Sequence, residues 1–374
     1  MRQGGIFSWV IGMLKIKNQG LPLLKPYKAK PVAIYDKTWE RMDRNESGFG
    51  VAPMAEEAIK EQLTDLSRYP ENSGYSLREV LAAAYGLEPD QIIVGNGSYE
   101  LLWLIASVFL DEKSESIITA PTFIWYKTYS TLLGGTVKEV PLKDLKVDLT
   151  AVQAAVSPAT RLIWLCNPNN PTGEYIPEKA MDEFLNSLDK DIAVVIDEAY
   201  LEFIDGYTPS VTIDLLTKHP NVIILRTFSK FYGLASLRIG YALADKEVIN
   251  ALYQFRIPPN HSRIAEAAAR GSVLDRNFQE GVRAAVRSER DYLYGALTEA
   301  GVEFIPTQTN FMLVKLGQGK VGLFLAALKK EKVLAKDGLE FGLPDYVRLT
   351  IKSHKANERF IGYLKGFLTE EKTK

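Results

Sequence analysis

Arg226-Thr-Phe-Ser229-Lys230-Phe-Tyr-Gly233-Leu-Ala-Ser236-Leu-Arg238-Ile-Gly240-Tyr241 decides how this chain is read. The apolar run Asn221-Val-Ile-Ile-Leu225 before it reads as a buried strand, and Ile239 to Ala244 reads as another. A lysine therefore lies between two strands, beside a serine, a glycine and two arginines. Burial and neighbouring cations both lower a lysine's proton affinity. A neutral lysine at working pH is a nucleophile that can form a Schiff base with an aldehyde. Ser229 offers a hydroxyl and Arg238 a guanidinium fork to an anion nearby. A Ser-Lys pair in isolation more often marks a solvated loop, so the rest of the chain has to decide.

The composition sets limits. A chain of 374 residues, 46% hydrophobic, can bury a large core and is expected to form two domains. A formal net charge of -1 argues against a nucleic-acid or polybasic membrane binder. The single cysteine, Cys166, excludes an internal disulfide and suggests a reducing compartment. His219, His261 and His354 are scattered, so no metal site is expected. Ile6 to Leu14 is apolar but too short to span a bilayer, and Lys15 and Lys17 follow without a cleavage signal. A short amphipathic helix packing on the body or on a partner subunit is expected there.

From Pro53 onward, helix-like and strand-like segments alternate. Ala55 to Leu66 reads as a helix ended by Arg68-Tyr69-Pro70. Ser76 and Glu79 read as a capping box for a helix from Leu77 to Tyr85. Gln91-Ile-Ile-Val-Gly95-Asn96-Gly97-Ser98 reads as a strand entering a glycine turn that opens a helix, where free amides can bind a phosphate. The spacing is neither the dinucleotide fingerprint nor a P-loop. Arg161 to Cys166 and Asp191 to Ile196 read as buried parallel strands flanking the helix Glu178 to Leu188. The alternation predicts an α/β fold, a three-layer αβα arrangement around a mostly parallel sheet, with a smaller α/β domain after residue 260. The expected division is 1–50 for an arm and part of the small domain, 51–260 for the large domain, and 261–374 for the small domain. Ligands in such sheets bind beyond the strands' carboxyl ends.

Two strand ends carry chemistry. Asn167-Pro-Asn-Asn170-Pro-Thr-Gly173 follows one, and Asp197-Glu-Ala-Tyr200 follows the other. Each alone reads as a turn or a strand-terminating acid. Together, an asparagine can hydrogen-bond a ring hydroxylate while an aspartate pairs with a pyridinium nitrogen. A lysine, a phosphate cradle, an asparagine and an aspartate are what pyridoxal phosphate requires.

With these pieces assembled, the chain resembles the fold-type I, aspartate-aminotransferase superfamily of pyridoxal phosphate enzymes, and within it the histidinol-phosphate aminotransferase branch. The resemblance runs from about Lys25 to the end. It is carried in order by Asn45-Glu46, Arg68-Tyr-Pro70, Gly95-Asn-Gly-Ser98, Ala120-Pro-Thr-Phe123, Asn167 to Gly173, Asp197 to Tyr200, the Lys230 stretch, Thr309-Asn310-Phe and Arg348-Leu-Thr-Ile. The resemblance implies that Lys230 binds pyridoxal 5'-phosphate and shuttles a proton between substrate Cα and cofactor C4′. It implies that Asp197 pairs with the pyridinium nitrogen and that Asn170 and Tyr200 bond the phenolic oxygen. Gly97, Ser98, Thr227, Ser229 and Arg238 would hold the phosphate, Phe123 would stack on the ring, and Tyr69 would reach the phosphate site of a second subunit. Arg348 would clamp the substrate's anionic group, with Tyr27, Asn45, Lys336 and His261 as further substrate-binding candidates.

Some positions depart from the branch pattern. Tyr99 stands where aspartate is usual, Phe123 where tyrosine is usual, Ser236 where glycine is usual, and Lys336 where arginine is usual. The expected protein is a cytoplasmic, homodimeric, pyridoxal phosphate-dependent aminotransferase acting on an amino acid or amino-alcohol phosphate. The alternative is an elimination, cyclisation or decarboxylation enzyme of specialised amino-acid metabolism on the same fold. A ligand-binding domain without activity ranks below both.

Overall fold

The computed structural model describes residues 37–317 and 319–372. The expected N-terminal helix and the substrate candidate Tyr27 lie outside the described residues. The described chain starts with β1 (Glu40–Met42), α1 (Pro53–Gln62), α2 (Tyr75–Tyr85), β2 (Ile92–Gly95) and α3 (Gly97–Phe109). It continues with β3 (Glu115–Ala120), α4 (Ile124–Leu132), β4 (Thr136–Pro141), α5 (Leu149–Ala154), β5 (Thr160–Cys166), α6 (Glu178–Asn186) and β6 (Ala193–Asp197). Then come α7 (Ile213–Lys218), β7 (Val222–Thr227), β8 (Gly240–Ala244), α8 (Lys246–Phe255), α9 (Arg263–Leu274) and α10 (Arg276–Glu299). The last elements are β9 (Phe304–Ile305), β10 (Phe311–Lys315), α11 (Lys320–Lys330), β11 (Val333–Asp337), β12 (Tyr346–Thr350) and α12 (His354–Lys372).

The larger sheet has the order β2-β8-β7-β6-β5-β3-β4. β7, β6, β5, β3 and β4 are parallel, and β8 runs antiparallel to both β7 and β2. Its central strands are apolar on both faces, as expected when helices cover a sheet on each side. Ile163, Leu165, Val194, Ile196, Val222 and Ile224 enter one core with α1, α2, α6 and α9. Leu162, Trp164, Val195, Ile223 and Leu225 enter the other with α3, α4 and α8. This is the expected three-layer arrangement. Alanines make the α1–α9 contact close: a Cβ on Gly271 would lie 2.7 Å from the backbone of Ala55, so glycine is required there.

The smaller sheet, β1-β11-β12-β10-β9, pairs β1 parallel to β11 and is otherwise antiparallel. α10 serves two cores. Val282 and Val286 enter the core under the larger sheet, whereas Leu293 and Leu297 pack with Met42, Phe324 and Phe360 under the smaller one. A helix of this length spans roughly 36 Å at 1.5 Å per residue, long enough to reach both.

Local expectations hold for most elements and fail at one cap. α2 begins at Tyr75 after Gly74, which has φ 65°, and Ser76 does not form a capping box with Glu79. The Ser76 hydroxyl instead donates to Glu266 on α9. A tertiary acceptor outcompetes the local one. α3 starts at Gly97, within the glycine turn expected to open it, so the Gly97 and Ser98 amides belong to its first turn.

One buried ion pair braces the larger sheet. The Arg226 Nε donates to Glu198 Oε2 at 2.8 Å, both side chains are fully buried, and the Arg226 guanidinium lies 4.8 Å from the Tyr85 ring centroid. Removing one partner of such a pair strands the other charge in the core. Glu198→Ala is expected to destabilise the fold by about 3 kcal/mol or more, whereas Lys60→Ala, at an exposed i,i+3 pair with Glu57, changes it by less than about 0.5 kcal/mol. Urea denaturation of both variants checks this contrast.

Candidate active site

The site forms where strand ends converge. Because β8 runs antiparallel between β2 and β7, its first residue, Gly240, pairs with both Gly95 and Thr227. The turn before β8 therefore lies between the carboxyl ends of its two neighbours. That places Arg238 beside Gly97-Ser98 and beside Ser229-Lys230. The Arg238 Nη1 donates to Ser229 Oγ at 3.2 Å and to the Ala235 carbonyl at 3.0 Å. Gly97 has φ 69°, and a Cβ there would strike the Arg238 guanidinium. Thr227 Oγ1 accepts from the Ser229 amide at 3.1 Å, which shapes the turn. Helix-start amides, a serine hydroxyl and a guanidinium thus surround one small space, a donor set suited to a phosphate.

Lys230 follows directly. Its ammonium donates to the Arg44 carbonyl at 2.8 Å and lies 5.9 Å from the Tyr200 ring centroid. Burial brings its pKa down to about 8, and Arg348, Arg238 and Arg44 push the same way against Glu46. A substantial fraction is therefore the neutral amine at mildly alkaline pH.

Asp197 ends β6, in register with Cys166 at the end of β5. Its Oδ2 accepts from the Tyr126 hydroxyl at 2.8 Å and its Oδ1 from the Ala199 amide at 3.1 Å. Burial raises its pKa to about 6, and the Tyr126 and Ala199 hydrogen bonds oppose that shift. A cationic ring nitrogen would offset the desolvation, which is the condition under which this carboxylate is well placed. Tyr126 was not foreseen from the sequence. The available signal is its position three residues after Phe123, and its flat stacking on Trp164 at 5.2 Å holds its hydroxyl on Asp197. Phe123 makes edge contacts at 5.5 Å with both Tyr99 and Tyr126, so its ring is fixed beside the Asp197 pocket.

The smaller sheet supplies the opposite wall. From β12, Arg348 donates through Nη1 to Asn170 Oδ1 at 2.6 Å and through Nη2 to the Asp43 carbonyl at 2.8 Å. Its guanidinium lies 5.3 Å from the Phe311 centroid and 5.1 Å from that of Phe341. It is buried, which lowers its pKa, and its Nε lacks a hydrogen-bond partner among the described residues. Asn45, with φ 55°, donates from Nδ2 to the Tyr200 hydroxyl at 2.9 Å, and burial pushes the Tyr200 pKa well up.

Of the residues expected from the sequence, Gly97, Ser98, Ser229, Lys230, Arg238, Asp197, Tyr200, Asn170, Phe123, Asn45 and Arg348 are joined by this network or border it. Lys336 faces Arg348 across β11 and β12. Tyr69 is 84% exposed. His261 is buried elsewhere, with Nδ1 at 3.2 Å from Asn260 Oδ1 and Nε2 at 3.3 Å from Glu266 Oε2. The second of these ties it to α9. The roles of the Asp43 and Arg44 carbonyls were also missed, because any residue type provides a carbonyl and only the fold says where it points.

Residues 40–364 match the model of aminotransferase class I and II. The chain is 36% identical over 357 residues to a histidinol-phosphate aminotransferase 2 of Carboxydothermus hydrogenoformans, covering 93% of this chain and 98% of that one. Among solved structures, histidinol-phosphate aminotransferase from Sinorhizobium meliloti in complex with pyridoxal-5'-phosphate superposes with a TM-score of 0.85, at 26% identity over 96% of this chain and 98% of that one. L-threonine-O-3-phosphate decarboxylase from Porphyromonas gingivalis superposes with a TM-score of 0.78, at 27% identity over 88% of this chain and 99% of that one.

The raised pKa of Asp197 has a sign that can be checked in cofactor-free protein. The native state holds this proton more tightly than the unfolded chain, so ionising the group costs stability as pH rises from about 4 to about 6. Asp197→Asn removes that cost while keeping an acceptor for Tyr126. Relative to the variant, the wild type is expected to lose stability across this window in denaturant titrations, and parallel profiles would refute the assignment.

Proposed function

Since the chain belongs to the aminotransferase class I and II family, we propose that it moves an amino group from an amino acid or amino-alcohol phosphate to a keto acid, with histidinol phosphate as the first substrate to test. Pyridoxal 5'-phosphate, its cofactor, supplies an electron-withdrawing ring that stabilises the carbanion left when substrate Cα loses a proton. The observation that carries this reading is the placement of Lys230. Its partly neutral amine lies between an Arg238–Ser229 phosphate cradle and the Asn170–Arg348 pair.

The chain's own groups divide the work. Gly97, Ser98, Ser229 and Arg238 would hold the phosphate, and Thr227 supports their turn. Asp197, set by Tyr126, would keep a proton on the ring nitrogen. Asn170 and Tyr200 would hydrogen-bond the phenolic oxygen, and Phe123 would pack against the ring. Lys230 would be the amine that holds the cofactor's aldehyde and the base that moves the Cα proton, work for which a pKa of about 8 is suited. Arg348 clamps the substrate's anionic group through a guanidinium fork, with Asn45 aligning Tyr200.

A second copy of the chain completes the reading. The exposed side chains Leu63, Leu66 and Tyr69 flank the contact in which Arg263 bonds Asp65 and the Tyr69 carbonyl, and the exposed Phe255 and Ile257 flank Arg256, which bonds the Asn72 carbonyl. We place the homodimer contact there, with Tyr69 reaching the partner's phosphate site. No helix among the described residues is long and apolar enough to cross a membrane. The buried, single cysteine fits a reducing cytoplasm. The decarboxylase likeness keeps loss of CO2 as the second reading, since Cα deprotonation and decarboxylation use the same ring and the same lysine.

The test is the visible spectrum of the reconstituted protein. A cofactor band that L-glutamate or histidinol phosphate converts, and a keto acid restores, is the expected outcome. Release of CO2 without that reversible conversion would favour the second reading. Lys230→Ala should lose the wild-type band and lower turnover by at least about a hundredfold. Absence of any band in folded, reconstituted wild type would remove the basis of the reading.

A further inference from the structure

Lys336 and Arg348 occupy paired positions on the antiparallel strands β11 and β12, so their side chains leave the same face of the smaller sheet. Two cations side by side on a binding wall would favour a substrate with two negative charges. The turn that follows β11 alters this balance. Gly338–Phe341 forms a short helical turn. It brings Glu340 Oε2 to 2.5 Å from Lys336 Nζ, and the next residue, Phe341, lies against the Arg348 guanidinium. Glu340 also acts on Arg348, where its negative charge opposes the effect of burial. Arg348 is buried, whereas the Lys336 and Glu340 side chains are 29% and 60% exposed. The wall therefore carries one buried cation and one rim cation already neutralised by an acid.

We propose that Glu340 is a specificity-determining residue: by occupying Lys336, it sets how readily the site admits a substrate with a second or doubly charged anionic group. The inference rests on the aminotransferase reading above. A phosphate or distal carboxylate must draw the Lys336 ammonium from Glu340 before it can pair with it. A substrate with one carboxylate and a neutral side chain uses Arg348 and leaves the Lys336–Glu340 pair intact. An exposed pair of this kind adds little to folding, so Glu340 can be replaced without loss of the fold.

The experiment is a double-mutant cycle on reconstituted protein, using Glu340→Gln, Lys336→Met and the double variant. Single-turnover conversion of the cofactor band is followed with histidinol phosphate, with L-glutamate and with L-phenylalanine. Glu340→Gln is expected to raise the second-order rate constant for the two multiply charged donors by about tenfold, the scale of releasing one ion-paired ammonium to the substrate at a partly exposed site. It should change the L-phenylalanine value by less than about twofold. In the Lys336→Met background, Glu340→Gln should have no effect. A uniform shift across donors, or a Glu340→Gln effect that persists without Lys336, overturns the assignment. If L-phenylalanine is not converted, the dependence on Lys336 alone decides. If no donor converts loaded wild type, the aminotransferase reading fails and takes this inference with it, whereas conversion with unaltered selectivity removes only the role of Glu340.

Discussion

Arg348, buried, and Lys230, partly buried, both need acceptors, and the backbone of Asp43 and Arg44 provides them. Lys230 donates to the Arg44 carbonyl from the larger sheet, and Arg348 donates to the Asp43 carbonyl from the smaller one. Asn45 extends the seam in both directions, donating to Tyr200 and accepting at its carbonyl from Asn310. Its own amide donates to Thr350 on the strand that carries Arg348. A charge removed from water without a partner is strongly unfavourable, so these contacts couple the placement of the nucleophile to that of the substrate clamp. The positive φ of Asn45 is the local conformation that lets three consecutive residues serve both sheets.

The alternation of strand side chains separates chemistry from structural support. Along β6, Val195 and Asp197 share a face, and the next residue, Glu198, turns to the opposite side, where Arg226 meets it. Two adjacent carboxylates thus have different partners: one a tyrosine hydroxyl beside the site, the other a guanidinium in the core. Burial raises the pKa of both, but Arg226 compensates Glu198 within the fold. Asp197 leans on two hydrogen bonds and the charge of Lys230 rather than on a guanidinium in contact, which leaves it able to pair with a cationic ligand.

Much of the architecture was legible in the sequence because it rests on patterns that a chain carries locally. Continuous apolar runs such as Arg161 to Cys166 mark strands covered on both faces, and the glycine turn at Gly95–Gly97 marks the entry to α3. Lys230, Asp197, Asn170 and Arg238 stood out as reactive or anion-binding types together at strand ends and turns, whereas Arg348, within β12, and the individual roles came from the resemblance. The failed capping box at Ser76 shows the limit of that approach, since Glu266, 190 residues away, captured the hydroxyl. His261 likewise had a suggestive type but is engaged by Asn260 and Glu266.

What the sequence by itself determined is the order of elements, the three-layer sheet and the chemical types gathered at its strand ends. These follow from hydrophobic period, turn residues and reactive side chains, all of which act over a few positions. Only the tertiary structure decided that Tyr126 sets Asp197, that the Asp43 and Arg44 carbonyls hold Arg348 and Lys230, and that Glu340 takes the charge of Lys336. Those relations depend on strand register and on backbone groups common to every residue. Neither leaves a mark in a linear chain until strands pair and water is excluded.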